Sequence, residues 1–371
     1  MKNNFETSST QDLKLFILNK LYKKIFVLAG YKSFTESGLK TFFSQTFKEK
    51  NFNFFFKRKP YPEYQELIKI IKSIENFNPD LIIAAGGGSV LDYAKIANTI
   101  EFNHNLDKDI ISSEYKLKKK KTILLAIPTT AGSGAEVTSN AVIYINQKKY
   151  SIEGNSIKPD FFFLIPDFVK SASNIIKSSA GFDAIAQSIE SLVSKRSNAT
   201  SVAYAKKSLS ISLDYFLKFL KKPTKENTCA MSFAANLSGK AINISRTTAP
   251  HAVSYPFTSS FKISHGHAVS LTLNKFMVFN YKNSTHSNCK FDLHERFKLL
   301  FKITKTKNIE DFNNYIKFIK INANLEDNFT KLGIDIENFM PKLLDETNDQ
   351  RLKNNPVKIT KKILKSLILN T

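Results

Sequence analysis

The stretch that most constrains this 371-residue chain is PDLIIAAGGGSVLDYAKIANTI, residues 79–100. PDLIIAAGGG is an apolar run that ends in glycines, and SVLDYAKIANTI (89–100) carries apolar residues at helical spacing. A buried strand that turns through glycine straight into a helix predicts a crossover unit, because parallel neighbours cannot be joined by a tight hairpin. Further segments repeat the pattern. KIFVLAG (24–30), KTILLAIPTT (121–130), AVIYI (141–145) and FFFLI (161–165) read as strands, and YPEYQELIKIIKSIENF (61–77) reads as a helix. Alternating strands and helices predict a mostly parallel sheet covered on both faces.

After about residue 170 the strand signals stop. AGFDAIAQSIESLVS, SVAYAKKSLSISLDYFLKFL and CAMSFAANLSGKAINI all have helical period, as do HERFKLLF, EDFNNYIKFI and ITKKILKSLIL. The change of period predicts two domains: an α/β, Rossmann-like domain over residues 1–172 and an all-helical domain over 173–371. There is no internal repeat.

Bulk properties exclude several classes. No apolar run reaches the roughly 18 residues of a membrane helix. The N-terminus, MKNNFETSSTQD, lacks the apolar core of a secretory leader. Cys229 and Cys289 have no disulfide or zinc-knuckle spacing, so they are expected as reduced thiols in a cytoplasmic protein. The formal charge is +23, but the lysines are spread along the chain, with no finger spacing and no aromatic-basic RNA pattern. Neither nucleic acid nor membrane is expected as a partner.

The glycine turn is suited to an anion. Amides at a helix start have no intrahelical acceptor, and the helix dipole favours negative charge there. Glycine lets that backbone approach a pyrophosphate without an intervening Cβ. Ser89 is expected as the N-cap. PTTAGSGAEVTS (128–139) follows another strand and adds the hydroxyls of Thr129, Thr130, Ser133 and Thr138. Two such turns at neighbouring strand ends predict a dinucleotide site.

G-G-G-S-x-x-D-x-A-K (86–95) followed by P-T-T-A-G-S-G-x-E-x-T (128–138) resembles the iron-containing (group III) alcohol dehydrogenases. It is also similar to their relatives, the glycerol dehydrogenases and 3-dehydroquinate synthases. The resemblance runs from about residue 60 to 280. It implies that Gly87, Gly88 and Ser89 hold a pyrophosphate and that Thr129, Thr130 and Ser133 line the nicotinamide and ribose. Asp92 and Lys95 fall close by, and Lys149 stands at the family's coenzyme-side lysine. Strand 24–30 ends in Gly30 where the family often has an aspartate, and Lys32 and Ser33 follow. With no acid to repel a 2′-phosphate, NADPH is expected over NADH.

Asp183 and Gln187 lie four apart on one helix face, and His251, His265 and His267 fall within seventeen residues. A carboxylate with two imidazoles suits Fe²⁺ or Zn²⁺. In the family an aspartate, a histidine one turn later and two histidines fourteen residues apart hold the metal. Asp183, His251 and His265 match that pattern, with Gln187 where the first histidine belongs and Tyr255 where a further histidine is frequent. His267 and Tyr255 are candidate proton relays.

D-A-x-x-Q-x-I-E-S, G-K-A-I-N-I-x-x-T-T-A-P-H-A-x-S-Y and H-G-H-A-V resemble the phosphonoacetaldehyde reductase branch over residues 126–280. This implies reduction of phosphonoacetaldehyde to 2-hydroxyethylphosphonate, with Lys240 and Arg246 placed to meet the dianion. A dehydroquinate synthase-like lyase, a sugar-alcohol or other small-alcohol oxidoreductase and a metal-less binding protein stay open, as does homo-oligomerisation.

Overall fold

The computed structural model describes residues 5–20, 22–47 and 50–369. The chain divides into two compact units, Met1–Ser173 with Pro223–Asn236, and Asn174–Lys222 with Leu237–Thr371.

The first unit is built on strands β1 (Lys24–Gly30), β2 (Asn51–Lys57), β3 (Leu81–Gly86), β4 (Ile123–Pro128) and β7 (Phe161–Phe162), in the order β2-β1-β3-β4-β7. All four pairings are parallel. Parallel sheets are covered on both faces, so their central strands carry apolar residues at every position. On β1, Phe26 and Leu28 join Ile82, Ala84, Leu124 and Ala126 in one core, under Leu67, Ile70, Ile71 and Ile74 of the helix Tyr64–Phe77. Ile25 and Val27 face the other way with Ile83, Leu125 and Ile127, against Leu13 and Ile17 of the helix Thr10–Asn19. The strand order reverses between β1 and β3. Open α/β sheets bind ligands at the carboxyl ends of strands beside such a reversal.

Some segments depart from the sequence-based expectation. AVIYI lies outside the parallel sheet. It forms β5 (Asn140–Ile145), paired antiparallel with β6 (Lys148–Glu153). Asn146 and Gln147 between them both have positive φ, the conformation a two-residue hairpin requires. FFFLI contributes only the two-residue edge strand β7, and NFNFFFK forms the opposite edge, β2, which its mixed Asn–Phe pattern does not announce. Residues 223–236, which hold the first part of the helix Lys225–Ser245, group with the first unit rather than with the other helices. Within that unit Phe233 meets Phe5 at 6.3 Å, Cys229 Sγ accepts from Thr7 at 3.6 Å, and Asn236 donates to Glu136 at 2.9 Å.

In the second unit every element named among the described residues is a helix or 3₁₀ turn. Its central member is Asn174–Val193, in which all residues from 181 to 193 are buried. Serines allow close approach around it. Ser188 Oγ meets Ser208 Oγ at 2.8 Å, and Ser245 Oγ donates to Ser191 Oγ at 2.9 Å. No helix among the described residues is long and apolar enough to cross a membrane.

At the tip of β3, a Cβ on Gly86 would lie 2.5 Å from Val90 Cγ2 and 2.8 Å from Val90 Cβ. Valine has little χ1 freedom in a helix, so the contact cannot be relieved by rotation. Gly86→Ala is expected to cost about 1–3 kcal/mol in urea unfolding, and Val90→Ala should recover only part of it, because the alanine Cβ still stands 2.8 Å from the added carbon. A neutral single substitution would show that the glycine is not required by packing.

Candidate functional site

The turn after β3 leads into the helix Gly88–Ala97. Gly87, not Ser89, is the N-cap, and no side chain caps the first turn. The expected serine cap is thus displaced by two residues. With the cap a glycine, the first amides are left to an anion. The turn after β4 lies beside it. Thr129 N–H donates to the Gly86 carbonyl at 3.1 Å. A Cβ on Gly87 would meet Thr130 Oγ1 at 3.4 Å, and one on Gly88 would meet Ser133 Oγ at 2.9 Å. The structure therefore brings Gly87, Gly88, Thr129, Thr130 and Ser133 together. The Thr129 hydroxyl is buried with no hydrogen-bond partner, a polar atom that a bound dinucleotide would satisfy.

Two helical turns on, Lys95 is fully buried and donates to Thr138 Oγ1 at 2.8 Å and to the Asn140 carbonyl at 3.0 Å. Burial lowers its pKa to about 8, against the pull of Asp92 and Glu136. Burial raises Asp92 to about 6, opposed by Lys95, Lys149 and the Val142 amide. Asp92 and Lys149 thus share one electrostatic cluster with Lys95. Near β1, Lys32 is paired with Glu36 at 3.8 Å and Ser33 Oγ donates to the Gly30 carbonyl at 3.1 Å. An acid thus stands beside the cation on which the expected NADPH preference rests.

The second constellation is held by three helices of the second unit: Asn174–Val193, Ala249–Phe261 and His265–Ser270. Asp183, His251 and His265 each offer one ligand atom, all within 4.8 Å of one another. His265 is delivered by its neighbour. A Cβ on Gly266 would lie 2.0 Å from the Ser179 carbonyl oxygen and 2.9 Å from Asp183 Cβ, so the short helix rests directly on the central one. His251 is held from both sides, with Nε2 3.2 Å from Asp183 Oδ1 and Nδ1 against Glu190 Oε2. Burial disfavours its cation, but the Glu190 and Asp183 carboxylates outweigh burial and raise it to about 9.

Glu190 was not singled out as a site residue from the sequence. It has no solvent exposure, and its Oε1 accepts from Thr248 N–H and Thr248 Oγ1, both at 2.8 Å. The signal was present, since Asp183, Gln187 and Glu190 at i, i+4 and i+7 share one helix face.

Gln187 does not present its oxygen as a ligand. Its Nε2 donates to Asp183 Oδ2 at 3.1 Å while its Oε1 accepts from Ser238 Oγ at 2.9 Å. The reverse orientation would set a carbonyl against a carboxylate, so Gln187 positions Asp183 instead of completing the ligand set. His267 is not brought to the cluster either. Its Nε2 bonds the Glu326 carbonyl at 2.7 Å, because a residue two positions from His265 points away around the helix. Tyr255 is brought there: its ring stacks on His265, with centroids 5.6 Å apart. Burial raises its pKa, and a hydrogen bond and charge from Arg351 work the other way. Lys240 Nζ lies 5.9 Å from the Tyr204 ring centroid. Arg246, at positive φ after the helix Lys225–Ser245, donates to the Asn243 carbonyl at 3.3 Å, a helix-terminal role.

One carboxylate and two imidazoles, one of them backed by a buried carboxylate, form a donor set that fits Fe²⁺ or Zn²⁺ and leaves further coordination positions. Glu190→Gln is expected to weaken metal affinity about 10–100-fold in a chelator-competition titration while coenzyme binding stays unchanged. Unaltered affinity would reduce Glu190 to a helix cap.

Comparison with known proteins identifies the family. Residues 2–166 match the model of iron-containing alcohol dehydrogenases, and residues 177–371 match that of the C-terminal region of Fe-containing alcohol dehydrogenases. Phosphonoacetaldehyde reductase of Streptomyces viridochromogenes is 27% identical over 57% of this chain and 56% of its own length. 1-Propanol dehydrogenase of Citrobacter freundii is 30% identical over 60% of this chain and 57% of its own. The matched stretches thus span less than two thirds of those relatives. Among solved structures, sulfoacetaldehyde reductase from Bifidobacterium kashiwanohense in complex with NAD⁺ superposes with a TM-score of 0.85 at 24% identity, covering 98% of this chain and 95% of that one. An iron-containing alcohol dehydrogenase from Thermococcus thioreducens gives 0.84 at 24% identity over 98% and 96%. At that identity the likeness establishes the fold, and with the two family models it leads to one conclusion: this chain belongs to the iron-containing alcohol dehydrogenases.

Proposed function

We propose that the protein is a metal-dependent, NAD(P)H-linked aldehyde reductase acting on a small aldehyde, with phosphonoacetaldehyde as substrate and 2-hydroxyethylphosphonate as product. The observation that carries this reading is the Asp183–His251–His265 cluster, with Asp183 and His251 buried and oriented by Gln187 and Glu190. The overall change is RCHO + NAD(P)H + H⁺ to RCH₂OH + NAD(P)⁺. When bound, the coenzyme supplies the hydride and the divalent ion polarises the carbonyl oxygen.

The protein's own part is positioning. Asp183, His251 and His265 would hold the ion, and Glu190 at Nδ1 fixes His251 so that Nε2 faces Asp183. The uncapped amides after Gly87 and the Thr129 hydroxyl would receive the dinucleotide. Tyr255, stacked on His265, would be the group whose hydroxyl passes a proton to the nascent alcohol. His267 has no part in this scheme, because its ring serves the Glu326 carbonyl. The phosphonoacetaldehyde assignment draws on the Streptomyces relative's activity and on the sulfonated aldehyde named for the Bifidobacterium structure. Its place of action is proposed as the cytoplasm, in keeping with two free cysteines.

The test is NADPH and NADH oxidation over a panel of small aldehydes, phosphonoacetaldehyde included, with Fe²⁺ or Zn²⁺ and a chelator control. His265→Ala is expected to lower kcat about a thousandfold or more while coenzyme affinity, read by NADPH fluorescence, stays within about threefold. Turnover that survives both the substitution and the chelator would remove the metal from the reading.

A further inference from the structure

His265 is carried to the cluster by a helix of only six residues, His265–Ser270. Helices that short are not stable alone in water, so neighbouring elements must set its direction. On one side it lies against the central helix, through Gly266 and a 3.2 Å bond from His267 N–H to Ser179 Oγ.

On the other side stands Lys320, from the helix Ile309–Asn322, with a side chain only 2% exposed. Its Nζ lies 2.6 Å from Asp327 Oδ2 and donates to Asn274 Oδ1 at 3.2 Å and to the Ser270 carbonyl at 3.4 Å. Three acceptors match the three donors of an ammonium. Ser270 is the last residue of the short helix, where carbonyls lack an intrahelical donor. Asp327 follows Glu326, whose carbonyl accepts from His267 Nε2 at 2.7 Å. Ser270 Oγ in turn donates to the His267 carbonyl at 2.7 Å. Asn274 is itself held, since its Nδ2 donates to Asn313 Oδ1 at 2.8 Å.

A single ammonium thus meets the ligand-bearing helix twice. It bonds the final carbonyl directly, and through Asp327 it holds the segment to which the His267 ring is tied. Burying a charge costs free energy unless it is paired, and a methionine of similar length would fill the space without that cost. What an apolar side chain does not supply is direction. Hydrogen bonds to oxygens from three segments fix where the short helix stands, whereas an apolar contact would let it shift.

We infer that Lys320 is a positioning residue for the metal ligand His265, acting through the end of its helix and through the Glu326–Asp327 segment. This rests on the metal-dependent reading above and deepens it by naming the group that sets one ligand's place.

The experiment titrates the full chain, freed of metal, with Co²⁺, whose visible absorption bands report ligand number and geometry. Wild type, His265→Ala, Lys320→Met and Asp327→Ala are compared. Co²⁺ affinity is read by chelator competition and coenzyme affinity by NADPH fluorescence. His265→Ala identifies the bands that depend on that ligand. Lys320→Met is expected to alter those same bands and to lower Co²⁺ affinity about tenfold or more, with coenzyme affinity within about threefold. Should Lys320→Met fail to fold, Asp327→Ala decides, because its side chain is 44% exposed and Lys320 keeps two acceptors. It is expected to alter the same bands with a loss of about threefold or more. Unchanged bands in the deciding variant, or metal and coenzyme affinity lost by the same factor, overturn the inference in favour of a purely structural role and leave the metal reading standing. Wild-type Co²⁺ binding that is absent, or that His265→Ala does not alter, retires the metal reading and the inference with it.

Discussion

Glu190 is a carboxylate without access to water, and the second unit's site is organised around it. A buried charge is tolerated only where donors replace its hydration. Here they are the Thr248 N–H and hydroxyl and the His251 ring. Thr248 provides no side-chain cap to its own helix, so the carboxylate stands at that helix start and meets the positive end of the dipole. The same contact fixes the rotation of His251 and turns Nε2 toward Asp183. One buried anion therefore aligns two helices and orients a ligand, and it ties fold and site to the same few atoms.

Both constellations also depend on a missing Cβ, for different physical reasons. At Gly266 the obstacle is a backbone carbonyl, which cannot rotate away, so the short helix can bring His265 to Asp183 only if that position is glycine. Within Gly86-Gly87-Gly88 the three residues have separate tasks. Gly86 makes room for Val90, Gly87 caps the helix, and Gly88 lies against Ser133. Read as a sequence, the triplet suggests one function, phosphate approach. In three dimensions its first member is a packing residue.

The parallel sheet was legible because β1, β3 and β4 are buried on both faces and so lack polar alternation. The same reasoning misplaced AVIYI, since a buried hairpin strand and a buried sheet strand have the same apolar signature and only the partner differs. Helical period likewise identified the helix from Cys229 onward without saying what it packs against. Asp183, His251 and His265 were legible from their types and spacing. The behaviour of Gln187 was not, because it turns on which way an amide faces between Asp183 and Ser238.

Net charge is a poor guide to where this molecule meets an anion. Most of the +23 belongs to solvated lysines spread along the chain, and at physiological ionic strength exposed charges act over roughly 8 Å. Lys32 illustrates the point, since its exposed charge is met by Glu36. The amides that follow Gly87 differ in kind, because they stand at a helix start without a side-chain cap, where the dipole favours an anion whatever the overall basicity of the chain.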